Sequence, residues 1–486
     1  MAGIVGICGA SADAAKVGGM LEQLRHRGPD KTWTDPGEGW AAGVCTAALG
    51  DEKGTGQATQ GDVCVLFDGE IYNQRPAGTT DAQVVLDLYR RYGRLFARYL
   101  EGAFAIAVRD GDQIVLARDA VGVRPLYWGR DSDGSLVFGS ELKALVGAVE
   151  EVHELHPSTV MSSVAGIQGY VPQLPEVEVP DDVEEARVAL REVLFRATER
   201  RLADGSVTAL LLSGGLDSSI IAAIANEMRP GLHAFTVGVK EAPDAANAVE
   251  MAQFLDMKHS VRAFDAGDIE RLVPKAVRSL ESFDEDCVSG AVANLFTSEW
   301  VSEHANCILS GEGGDELNGG YHLLKDLPDQ EAQRRGMERL IEVAYNTALQ
   351  RLDRAMMGGR ITYRTPFLDS EVTAFCLQMP VSWKVHDVGG GKLVEKWLLR
   401  EAFRDMLPES IYRREKLRFS RGTGVETIAE DVVQKLAARE SLCGGWTTSG
   451  GYRINSAVEA YYYKLFKEGF PDPGFEALVG RWDPDK

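Results

Sequence analysis

The chain has 486 residues, 44% of them hydrophobic and 26% charged, with a formal net charge of -21. That is the composition of a folded globular protein of roughly two to four domains, not of a disordered or fibrous chain. The acidic excess excludes a general nucleic-acid binder, which needs cationic surface against phosphates, but leaves room for a small anionic ligand met by a few local cations.

Taken in chain order, the first half reads as β-rich. Residues 4–8 are apolar, and Cys8 within them reads as a core thiol. Residues 63–67 form a short apolar run. Residues 81–92 place Val84, Val85, Leu88 and Tyr89 at helical spacing. Residues 102–108 and 113–117 flank Arg109-Asp110-Gly111-Asp112, a hairpin turn signal, and residues 135–139 follow a glycine-rich turn. Strand runs with few helices predict a layered α+β domain. Residues 171–182 mix prolines with acidic residues and read as a linker. A helix follows, with Val183, Ala186, Leu190, Val193, Leu194 and Ala197 on one face. Residues 206–212, 233–239 and 306–309 read as buried strands, with helical stretches at 218–228 and 290–303. Strand–helix alternation predicts a parallel α/β sheet. The expected division is a domain over 1–165, a linker over 166–182 and a second domain over 183–486.

The seven cysteines are odd in number, dispersed and without a CxxC pair, so reduced thiols are expected rather than disulfides or zinc. No apolar run reaches the length of a membrane span and no secretory pattern opens the chain, which predicts a cytoplasmic protein without a membrane partner.

The chemistry-bearing motif is Leu211-Leu212-Ser213-Gly214-Gly215-Leu216-Asp217-Ser218-Ser219. An apolar strand enters a glycine turn, and a helix starts straight after it. Glycines let backbone approach an anion, while the hydroxyls of Ser213, Ser218 and Ser219 and the first helical N–H groups point at it. Asp217 there would repel phosphate unless a cation lies between, so pyrophosphate with Mg²⁺ is the simplest ligand. The spacing is not that of a Walker A loop.

The string resembles the pyrophosphate loop of ATP pyrophosphatases. Ser310-Gly311-Glu312-Gly313-Gly314-Asp315-Glu316, Gly319-Gly320-Tyr321, residues 364–369 (RTPFLD), residues 395–401 (EKWLLRE) and residues 414–424 together resemble motifs of the asparagine synthetase B family, in the family's order. The resemblance implies a doubly wound ATP-pyrophosphatase domain with a helical C-terminal part. It also implies a ligase that adenylates a carboxylic acid with ATP and passes the acyl group to ammonia or an amine. By carry-over, Asp217 and Asp315 would ligate Mg²⁺, and Lys396 and Lys416 would stabilise the leaving pyrophosphate. Glu312 would take a proton from the amine. Leu211, Val237, Ser310 and Gly311 would hold adenosine, Gly214 and Gly215 the phosphates, and Glu316 is a candidate substrate contact. A homodimer is possible in this family.

Residues 1–165 resemble the family's class II glutaminase domain, of the αββα Ntn-hydrolase type, through residues 25–30 (RHRGPD) and 69–73 (GEIYN). The family's nucleophile is an N-terminal cysteine; here Ala2 stands there. Asp68 replaces the oxyanion-hole asparagine, and a carboxylate would destabilise an oxyanion. Thr46-Ala47-Ala48 replaces the segment whose arginine binds glutamine, leaving Asp81 as a partner for its amino group. Together these predict a degenerate glutaminase, as in β-lactam synthetases. Glu312 in place of their tyrosine, and Pro380 where their catalytic glutamate is expected, favour the asparagine-synthetase branch over cyclisation. An ordinary glutamine-hydrolysing enzyme with an engineered Ala2 and a β-lactam-type cyclase remain the alternatives. In the substrate segment after Asp284, Ser289 falls where the family has an arginine. Either a cation comes from elsewhere, Arg354 being the candidate, or Glu285 and Asp286 select a cationic or amine-bearing substrate.

Overall fold

A computed structural model describes residues 2–47, 56–240 and 242–481. The N-terminal part is two six-stranded antiparallel sheets stacked face to face. In the first, Ala2–Cys8 lies between Trp40–Thr46 and Leu136–Gly139. In the second, Gly102–Asp110 lies between Val63–Ile71 and Gln113–Arg118, the predicted hairpin. Alternating inward residues such as Ile4, Val44, Leu66, Ala105 and Phe138 fill the space between the sheets. Helix Ala14–Gln23 covers the outer face of one sheet through Val17, Met20 and Leu21. Helix Asp81–Tyr92 covers the other, started by a Thr80–Gln83 capping box. The layers are therefore α, β, β, α. Strand Gly166–Gly169 still belongs to the second sheet, so the predicted boundary at residue 165 falls one strand short. Residues 170–180 carry no helix or strand.

The second part is built on a five-stranded parallel sheet, in the order His259–Ala263, His233–Gly238, Ala209–Leu211, Cys307–Leu309, Thr362–Arg364. Its central strands Ala209–Leu211, His233–Gly238 and Cys307–Leu309 are short, mostly apolar and largely buried, as parallel pairing requires, while the edge strand His259–Ala263 is polar and largely exposed. Helix Val183–Leu202 packs Leu190, Val193, Leu194 and Ala197 into the core beside Ile220, Ile221 and Ile224 of helix Leu216–Met228. Beyond the sheet the chain is mainly helical. Helix Glu285–Val301 begins five residues before the predicted 290, because the Asp284 side chain accepts from the Cys287 N–H and caps it.

The two parts share a core. Val17, Met20 and Leu24 of the first sit in one apolar cluster with Leu272, Val273 and Val277 of helix Ala266–Leu280. All seven cysteines are free. No helix among the described residues is long and apolar enough to cross a membrane.

Candidate active site

The parallel strands run outward in both directions from the pair Ala209–Leu211 and Cys307–Leu309, and the loops leaving that pair diverge to leave a crevice. Ligands of open α/β sheets bind at this switch point. The two motifs singled out in the sequence, 211–219 and 310–316, are those two loops, and they line one cavity.

Local geometry explains the glycines. Gly214 has φ +74, and a Cβ there would stand 2.4 Å from the Asp244 carbonyl oxygen. Helix Leu216–Met228 has Gly215 as its N-cap and no side-chain cap, so its first N–H groups remain free for an anion. Ser213 Oγ and Ser218 Oγ lie 2.9 Å apart at the loop's mouth. A Cβ on Gly314 would come within 2.7 Å of Asp217 Cγ, so only glycine lets the second loop close on the first.

Four charges meet where the loops touch. Lys396 Nζ is 2.5 Å from Asp217 Oδ2 and 2.5 Å from Asp315 Oδ1, and Lys416 pairs with the other oxygen of Asp315. Burial opposes ionisation of Asp315, but Lys396 and Lys416 outweigh it and hold the carboxyl well below the usual range. Burial wins at Asp217, whose carboxyl is pushed up despite Lys396. Burial would depress Lys416, yet Asp315 and Asp217 raise it. Asp217 Oδ1 is buried with no hydrogen-bond partner. An orphaned carboxylate oxygen beside a second carboxylate is a hard donor set that suits Mg²⁺, whose shell is usually completed by phosphate oxygens and water. Among the described residues no cluster of three or more protein ligands exists.

Glu312 stands in the same cavity, 3.4 Å from Arg351. Burial pushes its carboxyl up, and Arg351 works against that rise. Leu211, Ser213, Gly215, Asp217, Ser218, Ser310, Gly311, Glu312, Asp315, Lys396 and Lys416 all reach the cavity. Gly214 lies behind the loop, its carbonyl accepting from Arg414 at 2.6 Å. Ser219 is fully buried and Val237 is core. Glu316 is buried behind the cavity, where it accepts from the Tyr321 hydroxyl at 2.5 Å. Burial, with Glu312 and Asp315 nearby, pushes it up to about 7.

Arg354 does not reach the cavity. It lies 3.3 Å from Glu281 and 3.2 Å from Asp353 at the junction of the two parts. Arg351, one turn earlier on helix Ala348–Gly358, takes the cavity side. Arg351, Arg414, Arg418 and Asp244 were not singled out from sequence. Arg414 pairs with Asp244 and Arg418 with Asp286 at 3.0 Å. Their arrival depends on tertiary packing between distant segments, and only Arg414 carried a signal, by standing in the motif that contains Lys416.

A second cavity lies between the two parts, lined by Ala2, Thr46, Ala47, residues 69–73, Arg75 and Asp81 of the first and by Arg200, Asp204 and Arg364 of the second. Ala48 lies outside the described residues. Among the described residues no thiol lines the cavity, and Cys45, opposite Gly3 on the neighbouring strand, is pushed up to about 12 by burial. Asp68 is fully buried, accepting from the Ala2 N–H at 3.2 Å and from Arg27 at 2.9 Å. Asp81 is paired with Arg75, and burial still pushes it up to about 6.

Residues 189–335 and 325–467 match the asparagine synthase family, and residues 1–175 the glutamine amidotransferase domain. The chain is 30% identical over 507 residues to an asparagine synthetase [glutamine-hydrolyzing] of Sandersonia aurantiaca, spanning 97% of this chain and 96% of that protein. It is 29% identical over 520 residues to asparagine synthetase [glutamine-hydrolyzing] 2 of Arabidopsis thaliana, spanning 99% and 89%. A probable asparagine synthetase of Dictyostelium discoideum is 29% identical, spanning 100% and 96%. Parallel sheet, switch-point cavity and these matches define an ATP-dependent carbon–nitrogen ligase. The chain belongs to the asparagine synthetase family.

Proposed function

We propose that the chain adenylates a carboxylic acid with ATP and transfers the acyl group to ammonia or an amine, without hydrolysing glutamine. The observation that carries the ligase half is the cluster of Asp217, Asp315, Lys396 and Lys416 on the switch-point loops. An acid oxygen would displace pyrophosphate from the α-phosphorus, and an amine nitrogen would then displace AMP. Ser213, Ser218 and the free N–H groups of helix Leu216–Met228 would cradle the phosphates. Lys396 and Lys416 would receive the negative charge that grows on the leaving pyrophosphate. Asp217 and Asp315 would hold Mg²⁺, which when bound neutralises phosphate charge. Glu312 would accept the proton that the attacking amine loses.

The glutamine half of the proposal rests on Ala2, Asp68 and Thr46 together. A methyl group stands where a nucleophile is needed, a carboxylate bridged to Arg27 stands where an oxyanion donor is needed, and Thr46 with Ala47 lines the cavity where the family's arginine is needed. This supports natural loss over a single engineered Ala2, which would leave the other two intact. Glu312 favours the asparagine-forming branch over a cyclase. Pyrophosphate release measured with aspartate, with ammonium against glutamine as nitrogen source, tests it. Release and amide formation with ammonium alone are expected.

A further inference from the structure

Glu70 lines the second cavity, in the segment 69–73 of the N-terminal part, yet its carboxylate is turned to the ligase half. We infer that Arg364, held by Glu70, is a positioning residue for the ligase: its side chain belongs to the second cavity, and its main chain sets the loop that carries Glu312. The inference rests on the ligase reading above.

Arg364 Nε donates to Glu70 Oε1 and Oε2 at 3.1 and 2.9 Å. Nη1 donates to the Arg201 carbonyl at 2.6 Å, and Nη1 and Nη2 each reach Asp204 at 2.8 Å. Of these acceptors only Glu70 belongs to the N-terminal part. The Tyr72 hydroxyl donates to Glu70 Oε2 at 2.7 Å, and the Tyr72 ring lies 4.2 Å from the Arg201 guanidinium. A planar fork with every nitrogen engaged is held in one orientation. Burial would raise the Glu70 carboxyl, but Arg364 holds it below the usual range.

The main chain of Arg364 stands at the switch point. It ends strand Thr362–Arg364, opposite Leu309. Its carbonyl accepts from the Ser310 N–H at 2.9 Å, and Ser310 Oγ accepts from the Glu312 N–H at 3.3 Å. The turn that follows, Pro366–Leu368, touches the same loop: a Cβ on Gly313 would stand 2.5 Å from Leu368 Cδ2. On its other side the loop has no slack, since a Cβ on Gly311 would stand 2.7 Å from Ser218 N. Residues 310–316 are therefore gripped between the Arg364 segment and the phosphate loop, and a shift of Arg364 moves Ser310 and Glu312 with it.

The competing reading is one more buried pair that only holds the halves together. The test measures pyrophosphate release and amide product with Mg·ATP, aspartate and ammonium, beside calorimetric Tm, for the full-length chain, Glu70→Ala, Glu70→Asp, Glu70→Gln and Lys143→Met. Lys143→Met cuts another buried pair of the join, Lys143 Nζ to Glu281 at 2.9 Å. Glu70→Ala should lower kcat about 10- to 100-fold with KM for ATP held within about twofold, the cost of misplacing a catalytic group by about an ångström. Glu70→Gln keeps an acceptor for Nε and should recover most of the loss. Glu70→Asp keeps the charge but withdraws it by one carbon, so it should fall between the two, and it carries the test if Glu70→Ala does not fold. Lys143→Met should lower Tm without moving kcat. An unchanged kcat in folded Glu70→Ala or Glu70→Asp, no recovery in Glu70→Gln, or an equal fall in Lys143→Met overturns the positioning role and leaves the ligase standing. Mg·ATP binding without release in the wild type overturns the ligase reading, and the positioning role with it.

Discussion

Lys396 is the residue on which the cavity turns. It has φ +54, a left-handed conformation uncommon for a lysine, and only 2% of it is exposed. The backbone is bent there so that one ammonium touches the acid of each loop. Lys396→Met should lower kcat for pyrophosphate release about 100- to 1000-fold, because a charge that stabilises the leaving group is lost. Stopped assays with a phosphate readout check this. Gly320 supports the same contact: a Cβ there would meet Asp315 Oδ1 at 2.1 Å and Lys396 Cε at 2.2 Å. Gly320→Ala should therefore lower kcat by moving both charges while leaving the fold intact by circular dichroism. The meeting of Asp217, Asp315, Lys396 and Lys416 in one cavity was legible in the sequence because each stands in a motif. Arg351 was not, since the choice between it and Arg354 depends on which side of one helix faces the cavity.

Among the elements, the start of helix Glu285–Val301 shows how a cap redraws a boundary. The helical stretch expected from residue 290 left residues 285–289 outside it. Asp284 nevertheless caps the helix from a buried position, and burial overrides propensity. Burial also pushes its carboxyl up to about 6 from the usual 3.8. Between those two values the unfolded chain has lost the proton and the folded chain still holds it. The folded state binds more protons, so stability falls as pH rises from about 4 to 6 and is flat beyond. Asn caps as well as Asp. Asp284→Asn should therefore match the parent at pH 3.5 and exceed it at pH 8 by roughly 2–3 kcal/mol in urea unfolding. Three of the five parallel strands were legible as apolar runs, while the polar His259–Ala263 and Thr362–Arg364 were not. Edge strands such as Lys31–Gly37, with its proline and charges, carried no such signal.

For the whole molecule, the N-terminal half is bound to the ligase half by buried charge as well as by the shared apolar core. Arg27, at 2.8 Å from Glu141 and 2.7 Å from Asp353, bridges the two halves, and Arg124 adds a second bond to Asp353 at 2.8 Å. Glu281 accepts from the backbone N–H groups of Leu142 and Lys143 at 3.0 and 2.8 Å. Burial would raise Asp353, but Arg27, Arg124 and Arg354 hold it down at about 2. Breaking a buried pair strands charges at a cost of about 3–5 kcal/mol. Asp353→Ala should thus destabilise the whole chain, seen as one cooperative calorimetric transition at lower temperature rather than the loss of one half. A glutamine amidotransferase-type half that is welded in this way has a structural reason to persist apart from catalysis.

The most direct test of a ligase without glutamine hydrolysis compares the chain with Ala2→Cys. Pyrophosphate release and amide product are measured with Mg·ATP and aspartate, supplied with ammonium or with glutamine. Ammonium should support both proteins equally, and glutamine neither, because Asp68 and the arginine-less segment at Thr46 and Ala47 remain. Glutamine-dependent product from Ala2→Cys would contradict this account and make Ala2 the one lesion of an otherwise working glutaminase.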